Sequence, residues 1–374
     1  MIQPKILVTG ATGKTGAALV AELRKHDWPV RAMVSREDER SVALRRLGAE
    51  TVIADMYDPE QLYLAAKGTQ RAYYLPLMRP YMIQAANAFA VAAREAKLEA
   101  IVQMSQWLSS PSHPTAMTRQ TWLIDRTFSM IPGVAHIIFN PGMFADNFLR
   151  VLDFPALLGI FPVLMGESRS APISNEDMAR AAAALLMDNP AKHAGRRYRP
   201  TGPELLSGRE MAKVIARVVG HRVLPVALPT FLFTKVARMQ KVDPYSIALL
   251  LHYAEDSKLG AFTLHGGVTE VIQELTGSPA ESFETTTRRY AEMPFAQQTL
   301  GNRLRAIVNF LLTPMYPGYD LKRYIRQLEI PMPTNPLYSM QDERWLKEHA
   351  EEVTVQPTLT DADLPAKTAR LATA

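Results

Sequence analysis

The most constraining feature of the chain is a short apolar stretch, residues 6–9, that leads directly into glycines at positions 10, 13 and 16. Residues 17–25 then carry apolar side chains at helical spacing and contain no helix breaker, which predicts a helix. A strand, a tight glycine turn and a helix together place the amide groups of a helix N-terminus around a phosphate. The feature therefore predicts a phosphate-binding turn in an α/β fold.

Each glycine of this turn has a separate physical reason. Gly10 allows the sharp turn off the strand, Gly13 lets the backbone approach a pyrophosphate, and Gly16 lets the helix pack close to the sheet. The spacing differs from the general G-x-G-x-x-G fingerprint, so a glycine turn without a ligand stays open at this point. The other turn residues that we expect to contact the ligand are Thr12, Lys14 and Thr15.

Composition excludes several classes of site and suggests a compartment. The chain has no cysteine, which rules out disulfides, thiolate metal sites and a cysteine nucleophile, and which fits a reducing compartment. We see no signal-peptide pattern and no stretch near the roughly 20 apolar residues of a membrane-spanning helix, so we expect a cytoplasmic protein without a transmembrane segment. The net charge of +5 comes from scattered Lys and Arg without a nucleic-acid-binding motif, and no metal site is expected.

The first 145 residues alternate predicted strands and helices with short connections, which indicates a doubly wound parallel sheet. After the first strand, further strands are predicted at residues 29–34, 51–54, 71–75, 101–104 and 135–139. We expect three regions: a nucleotide-binding domain over 1–147, a smaller and mostly helical substrate lobe over 148–294, and a C-terminal extension over 295–374. A strand near 196–200 is expected to return to the sheet, and a disordered tail is expected from about residue 355.

Residues after each predicted strand end are the candidate ligand contacts, because ligands bind at the carboxyl ends of the strands in such sheets. Arg36 follows the second strand where an acidic residue would select NAD, so its guanidinium predicts NADP; an ordinary surface arginine is the alternative. The remaining candidates, in order from the adenine to the nicotinamide end, are Asp55, Met56, Leu75, Pro76, Met104, Ser105, Pro141, Gly142 and Met143. Met143, Phe144 and Phe148 are expected to border an apolar substrate pocket.

These motifs resemble one known family. T-G-A-T-G-K-T-G at 9–16, Arg36, A-D-M-Y-D-P at 54–59 and N-P-G-M-F-A-D-N-F at 140–148 are similar to the NmrA-like group of the atypical short-chain dehydrogenase/reductase superfamily. The resemblance implies a Rossmann sheet, NADP(H) as cofactor and oxidoreductase activity on a small molecule.

The chain departs from the superfamily's catalytic pattern. Classical members carry a serine after the fifth strand and Tyr-x-x-x-Lys on the next helix, where tyrosine donates the proton. Ser105 matches the serine, but residues 113–126 contain neither tyrosine nor lysine. The candidate catalytic residues are therefore Ser105, His113 as a proton donor, Arg119 near the lysine position and Trp122 as a stacking surface; a loop role for His113 and core packing for Trp122 are the alternatives.

Two functions remain open. The first is a reductase of quinones, azo bonds, enones or imines, which needs little acid catalysis. The second is an NADP(H)-binding redox sensor that regulates a protein partner without turnover. A homodimer also stays open, and residues 295–316, which combine arginines with an apolar face, raise the alternative of contact with a membrane surface.

Overall fold

The computed structural model describes residues 3–350 and the backbone of 353–355. Its central element is a sheet of eight strands in the order β12-β9-β6-β5-β4-β1-β2-β3. The strands, numbered in chain order, are β1 (Ile6–Val8), β2 (Val30–Val34), β3 (Glu50–Ile53), β4 (Arg71–Tyr74), β5 (Ala100–Met104), β6 (Ala135–Phe139), β7 (Ile160–Val163), β8 (Arg169–Ser170), β9 (Arg196–Tyr198), β10 (Leu206–Ser207), β11 (Leu224–Ala227) and β12 (Val353–Val355).

The seven strands from β9 to β3 are parallel, and β12 runs antiparallel beside β9. Strand order reverses between β1 and β4, so the crossovers after β3 continue on the other side of β1. The predicted doubly wound sheet is therefore confirmed, as is the expected return of the chain to the sheet near residue 196. This reversal opens a crevice at the carboxyl ends of β1 and β4, where such sheets bind ligands.

Helices cover both faces of the sheet. The α-helices, in chain order, are α1 (Lys14–Lys25), α2 (Glu39–Arg46), α3 (Pro59–Ala66), α4 (Met82–Glu95), α5 (Ala116–Ser129), α6 (Ala145–Leu149), α7 (Asp153–Leu158), α8 (Asn175–Met187), α9 (Gly208–Val219), α10 (Thr230–Met239), α11 (Pro244–Lys258), α12 (Val271–Thr276), α13 (Phe283–Ala291), α14 (Leu300–Leu312), α15 (Leu321–Gln327) and α16 (Glu343–Glu348). One apolar core joins α1 and α8 to the sheet, and a second joins α3, α4 and α5 to its other face.

Beyond residue 147 the chain adds β9 and β12 to the main sheet and α8 to one of its faces, and it also forms two small separate sheets. Strands β7 and β11 pair in parallel, and β8 pairs with β10. Near the end of the described chain, Trp345 of α16 is buried edge-on against Trp107, with 5.5 Å between the ring centroids. Its indole nitrogen donates to the Trp107 carbonyl at 3.0 Å. The C-terminal extension is thus part of the packed body at this point.

The apolar spacing of residues 295–312 predicts a helix, which is present as the shorter α14. The charged residues near 342–352 predict a short helix, which is α16. The predicted disordered tail beyond Val355 lies outside the described residues. Among the described residues no helix is long and apolar enough to span a membrane.

Candidate cofactor and substrate site

The glycine turn closes tightly against its own helix. Gly10 adopts a left-handed φ of 61°, and a Cβ built on Gly16 would lie 2.3 Å from the Gly10 carbonyl oxygen. Helix α1 begins after Gly13 without a side-chain cap and without an acidic residue in its first turn. An uncapped, unopposed helix N-terminus attracts an anion. The turn therefore fits a dinucleotide pyrophosphate.

We expect Gly16→Ala to weaken NADPH binding at least about tenfold, because the added methyl group displaces the turn that presents the amide groups. Isothermal titration with NADPH measures the change. Gly301→Ala is the matched control, since a Cβ there meets no atom within 4 Å. If Gly16→Ala does not fold, Gly13→Ala tests the same turn, because its Cβ lies 3.2 Å from the Gly10 oxygen. Wild-type affinity in a folded turn variant would contradict the assignment.

At the end of β2 the candidate phosphate ligand is accessible. The side chain of Arg36 is 75% exposed, and its Nε lies 3.7 Å from an Asp38 carboxylate oxygen. Asp38 caps α2 and binds Arg40, whose hydrogen bond lowers the pKa of the carboxyl to about 2. Arg36 is thus largely exposed beside a carboxylate that is also hydrogen-bonded to Arg40 and to the amides of the α2 N-terminus.

Lys14 points toward the other end of the site. Its ammonium group forms an ion pair with Asp146 of α6 and lies 5.2 Å from the Tyr290 ring centroid. Asp146 is buried and also binds the Tyr290 hydroxyl and, at 2.8 Å, the Arg150 guanidinium. Burial raises the pKa of Asp146, but hydrogen bonds from Lys14 and Tyr290 outweigh it and lower the pKa overall. Lys14 thus faces the β6 side of the crevice, whereas Arg36 lies on the β2 side.

Several other predicted contacts lie along the same carboxyl edge. Leu75 touches the turn, since a Cβ on Gly10 would lie 2.8 Å from its Cδ2, and its amide donates to Thr9 Oγ1 at 2.8 Å. Asp55 is exposed after β3 and accepts the Tyr57 amide at 2.9 Å. Thr15 donates to Asn175 at 3.1 Å. Of the remaining predicted contact residues, Thr12 is half-buried. The others are buried: Met56, Pro76, Met104, Pro141, Gly142 and Met143.

At the end of β5 the Ser105 hydroxyl is hydrogen-bonded to the buried Asp125 carboxylate. It donates to Asp125 at 2.9 Å, and Gln103 and Ser109 donate to the same side chain at 2.6 and 3.1 Å. Burial raises the pKa of Asp125 to about 6.

At the end of β6, both polar atoms of the fully buried Asn140 amide have no hydrogen-bond partner in the described part of the chain. A buried unpaired amide is unusual, and a ligand carboxamide or a water molecule at this edge would satisfy it.

His113 is fully buried and bonded at both ring nitrogens. Its Nε2 lies 2.7 Å from an Asp256 carboxylate oxygen, and its Nδ1 accepts the Thr115 amide at 3.1 Å. Asp256 is also fully buried and accepts the Ser339 amide at 2.9 Å. The pair therefore connects the loop after β5 to α11 and to the C-terminal segment, which favours the structural alternative for His113.

Arg119 and Trp122 also contact the C-terminal segment. The Arg119 guanidinium donates to the carbonyls of His113 and Pro331 at 2.7 and 2.9 Å. Trp122 is buried, and the guanidinium of Arg126 lies 5.0 Å from its ring centroid. These contacts favour packing roles for both side chains.

A large apolar cavity lies beside the β6 end of the crevice. Its volume is about 420 Å³, and it extends between α6, the β7–β11 pair and α10. Asn147, Phe148 and Arg150 form its wall toward the dinucleotide crevice, and Arg150 reaches Lys14 through Asp146. Of the three predicted pocket residues, Phe148 lines this cavity, whereas Met143 packs against Trp107 and Phe144 against the sheet core.

Sequence reasoning missed two parts of this region. Asp146 lies inside the N-P-G-M-F-A-D-N-F motif, and that position was the one available signal for it. Tyr290 and the cavity residues of α10, including Leu232 and Phe233, carried no motif, because they come from separate segments that only tertiary folding brings together.

The chain is similar in sequence and in fold to several known proteins. The chain is 28% identical over 287 residues to the NAD(P)H azoreductase of Xenophilus azovorans, covering 76% of this chain and 98% of that protein. An NADPH-dependent quinone oxidoreductase from Escherichia coli, solved with NADPH, superposes with a TM-score of 0.62 at 21% identity, covering 76% and 99% of the two chains. NmrA, a negative transcriptional regulator, superposes with the same TM-score at 17% identity, covering 76% or more of both chains.

The chain shares the Rossmann-like α/β fold of the NADPH-dependent quinone oxidoreductase. The model of the NmrA-like family matches residues 3–108, from β1 through the loop after β5. The predicted resemblance to the NmrA-like family is thereby confirmed over these residues.

Proposed function

We propose that the protein is an NADPH-dependent oxidoreductase that reduces a small, largely apolar acceptor. One observation carries the proposal: the apolar cavity of about 420 Å³ adjoins the dinucleotide crevice through Arg150, Asp146 and Lys14. The relatives named as NAD(P)H azoreductase and quinone oxidoreductase support the same class of reaction. Quinones, azo compounds, enones and imines are the acceptor types that we propose.

Different residues of the chain bind the cofactor and the acceptor. The glycine turn and Arg36 hold the two phosphate-bearing parts of the dinucleotide, and the wall at Phe148 orients the acceptor. When bound, NADPH supplies a hydride to the acceptor. The proton comes from water, because the Ser105 hydroxyl is committed to Asp125 and His113 is buried. Rate enhancement then depends on positioning and on exclusion of bulk water by the apolar wall.

The test is stopped-flow loss of NADPH absorbance with a panel of quinones, azo dyes, enones and imines. We expect turnover with at least one class, and we expect Phe233→Ala to raise the KM of that acceptor about tenfold while NADPH affinity is unchanged, because Phe233 lines the cavity. Phe231→Ala is the control, since Phe231 is exposed on the same helix and does not line it. NADPH binding without turnover of any acceptor would contradict the proposal.

The second candidate is an NADP(H)-binding redox sensor without turnover. The absence of tyrosine and lysine from α5 and the structural likeness to NmrA, a transcriptional regulator, favour it. It predicts different affinities for NADPH and NADP⁺ together with no oxidation of NADPH in the acceptor panel.

A further inference from the structure

Helix α14 turns polar and small residues toward the protein body and apolar residues toward solvent, which is the reverse of an ordinary surface helix. The least exposed positions of the helix are small or polar residues, Asn302, Ala306 and Asn309, and Thr313 directly after the helix is also buried. Ala306 packs against Ala156 and Leu157 of α7. Large apolar side chains in the N-terminal part of the helix face outward, with Leu300 88% and Leu304 64% exposed. Water-soluble helices bury this kind of face, so the outward face requires an apolar environment.

The same surface continues beyond the helix. Exposed apolar side chains near α14 come from the loop after it, from β11 and from α10: Met315, Tyr316, Leu224, Val226 and Phe231. Val226 of β11 and Phe310 and Leu311 of α14 line one cavity, which places these elements side by side. We call these residues and the outward face of α14 the apolar face.

The chain segments that form the apolar face carry charges of one sign. Residues 293–319 and 211–242 contain no aspartate or glutamate. Arg303 and Arg305 are exposed on α14, and Arg222, Arg238 and Lys241 are exposed beside it. Arg222 and Arg303 line a shallow cavity together with Leu300, so basic and apolar groups alternate at the surface. A protein partner with an acidic patch would match the charge, but an anionic lipid bilayer matches both the charge and the breadth of the apolar face.

The apolar face is also the outer side of the acceptor cavity. Phe310, Leu311, Thr313 and Pro314 line the cavity from the α14 side, and Leu232, Phe233 and Val236 line it from α10. Lys235 of α10 donates to the Pro314 carbonyl at 2.5 Å, which joins the two walls. An acceptor that enters between them passes through the apolar face.

From these contacts we propose that the apolar face docks on an anionic membrane surface, and that the acceptor cavity receives a lipid-soluble acceptor from the bilayer. The docking depends only on the apolar face, whereas the route of the acceptor rests on the proposed reductase function. The reaction that follows is a two-electron reduction: the acceptor gains a hydride from NADPH and a proton from water, and NADPH leaves as NADP⁺.

The docking is tested by co-sedimentation of the full chain with vesicles of phosphatidylglycerol and phosphatidylcholine, without cofactor. We expect binding that weakens in high salt and in pure phosphatidylcholine, and at least a tenfold loss in Leu300→Glu/Leu304→Glu. The control is Leu64→Glu/Met130→Glu, because those side chains are 62% and 71% exposed but lie on α3 and after α5. Unchanged thermal unfolding verifies that each variant folds.

Equal sedimentation of the Leu300→Glu/Leu304→Glu variant and wild type would overturn the docking proposal, as would no binding to anionic vesicles. Sedimentation equilibrium gives the competing outcome: a wild-type dimer that this variant converts to a monomer would identify a second copy of the chain as the occupant and overturn the membrane assignment.

The route of the acceptor is tested separately from docking. With a long-chain quinone embedded in the vesicles, we expect Leu300→Glu/Leu304→Glu to lose most of its turnover, while turnover of a short, water-soluble quinone stays at the wild-type rate. Equal loss with both quinones would contradict entry from the bilayer. Vesicle binding without turnover of either quinone would contradict the reductase proposal and leave the docking intact.

Discussion

Replacing Arg36 with alanine is expected to lower the ratio of NADP affinity to NAD affinity about 10- to 100-fold. The guanidinium is the exposed cation after β2, where the 2′-phosphate of the adenine ribose binds in sheets of this kind. Without it, the neighbouring Asp38 carboxylate, whose pKa Arg40 lowers to about 2, stays charged and repels the phosphate. Fluorescence or calorimetric titration with the two dinucleotides measures the ratio.

Arg45→Ala is the matched control for this prediction. Arg45 is also an exposed arginine, but it lies on α2 and pairs with Glu37 of the loop after β2. We expect its affinity ratio to remain within twofold of wild type. An unchanged ratio in Arg36→Ala would show that selection of the phosphate lies elsewhere, with Arg40 as the next residue to test.

Replacing His113 with alanine is expected to lower the free energy of unfolding by about 3–5 kcal/mol, because it leaves the buried Asp256 carboxylate without its partner. The two side chains are fully buried and 2.7 Å apart. Urea denaturation measures the loss. We expect His113→Ala/Asp256→Ala to lose less than the sum of the single variants, because the double variant leaves neither group uncompensated.

The same variants separate a structural role of His113 from a catalytic one. NADPH affinity of folded His113→Ala is expected to equal that of wild type, and His26→Ala is the control, since His26 is exposed on the surface beside Glu22. A His113→Gln variant with wild-type stability but without turnover would instead support His113 as the proton donor.

The sheet was predictable because each of its strands is indicated by the residues of that strand alone. Six strands of short apolar pattern alternate with helices, and parallel strands joined by helices admit few arrangements. Gly10 and Arg36 were predictable for the same reason, since each follows a strand end closely, and Gly16 was predictable from its spacing to Gly10 and Gly13. The structure places all three at the carboxyl edge, and their contacts with the cofactor remain predictions.

The partners of the buried residues were not predictable. Asp256 lies 143 residues after His113, and no local pattern indicates that the two meet. Helix α14 shows a related limit: periodicity indicates which of Leu300, Leu304 and Ile307 share a face, but it does not say whether that face points to the body or away from it. The orientation depends on where Ala306 finds a neighbour, which is a tertiary property.

The position of β12 has a consequence for the order of folding during synthesis. It covers the outer edge of β9, yet it is made after every other described element of the chain. Until the ribosome has produced it, the backbone N–H and C=O groups along that edge stay available to other nascent chains. The seven parallel strands can assemble earlier, so completion of the sheet edge is a late step that protects the protein from edge-to-edge association.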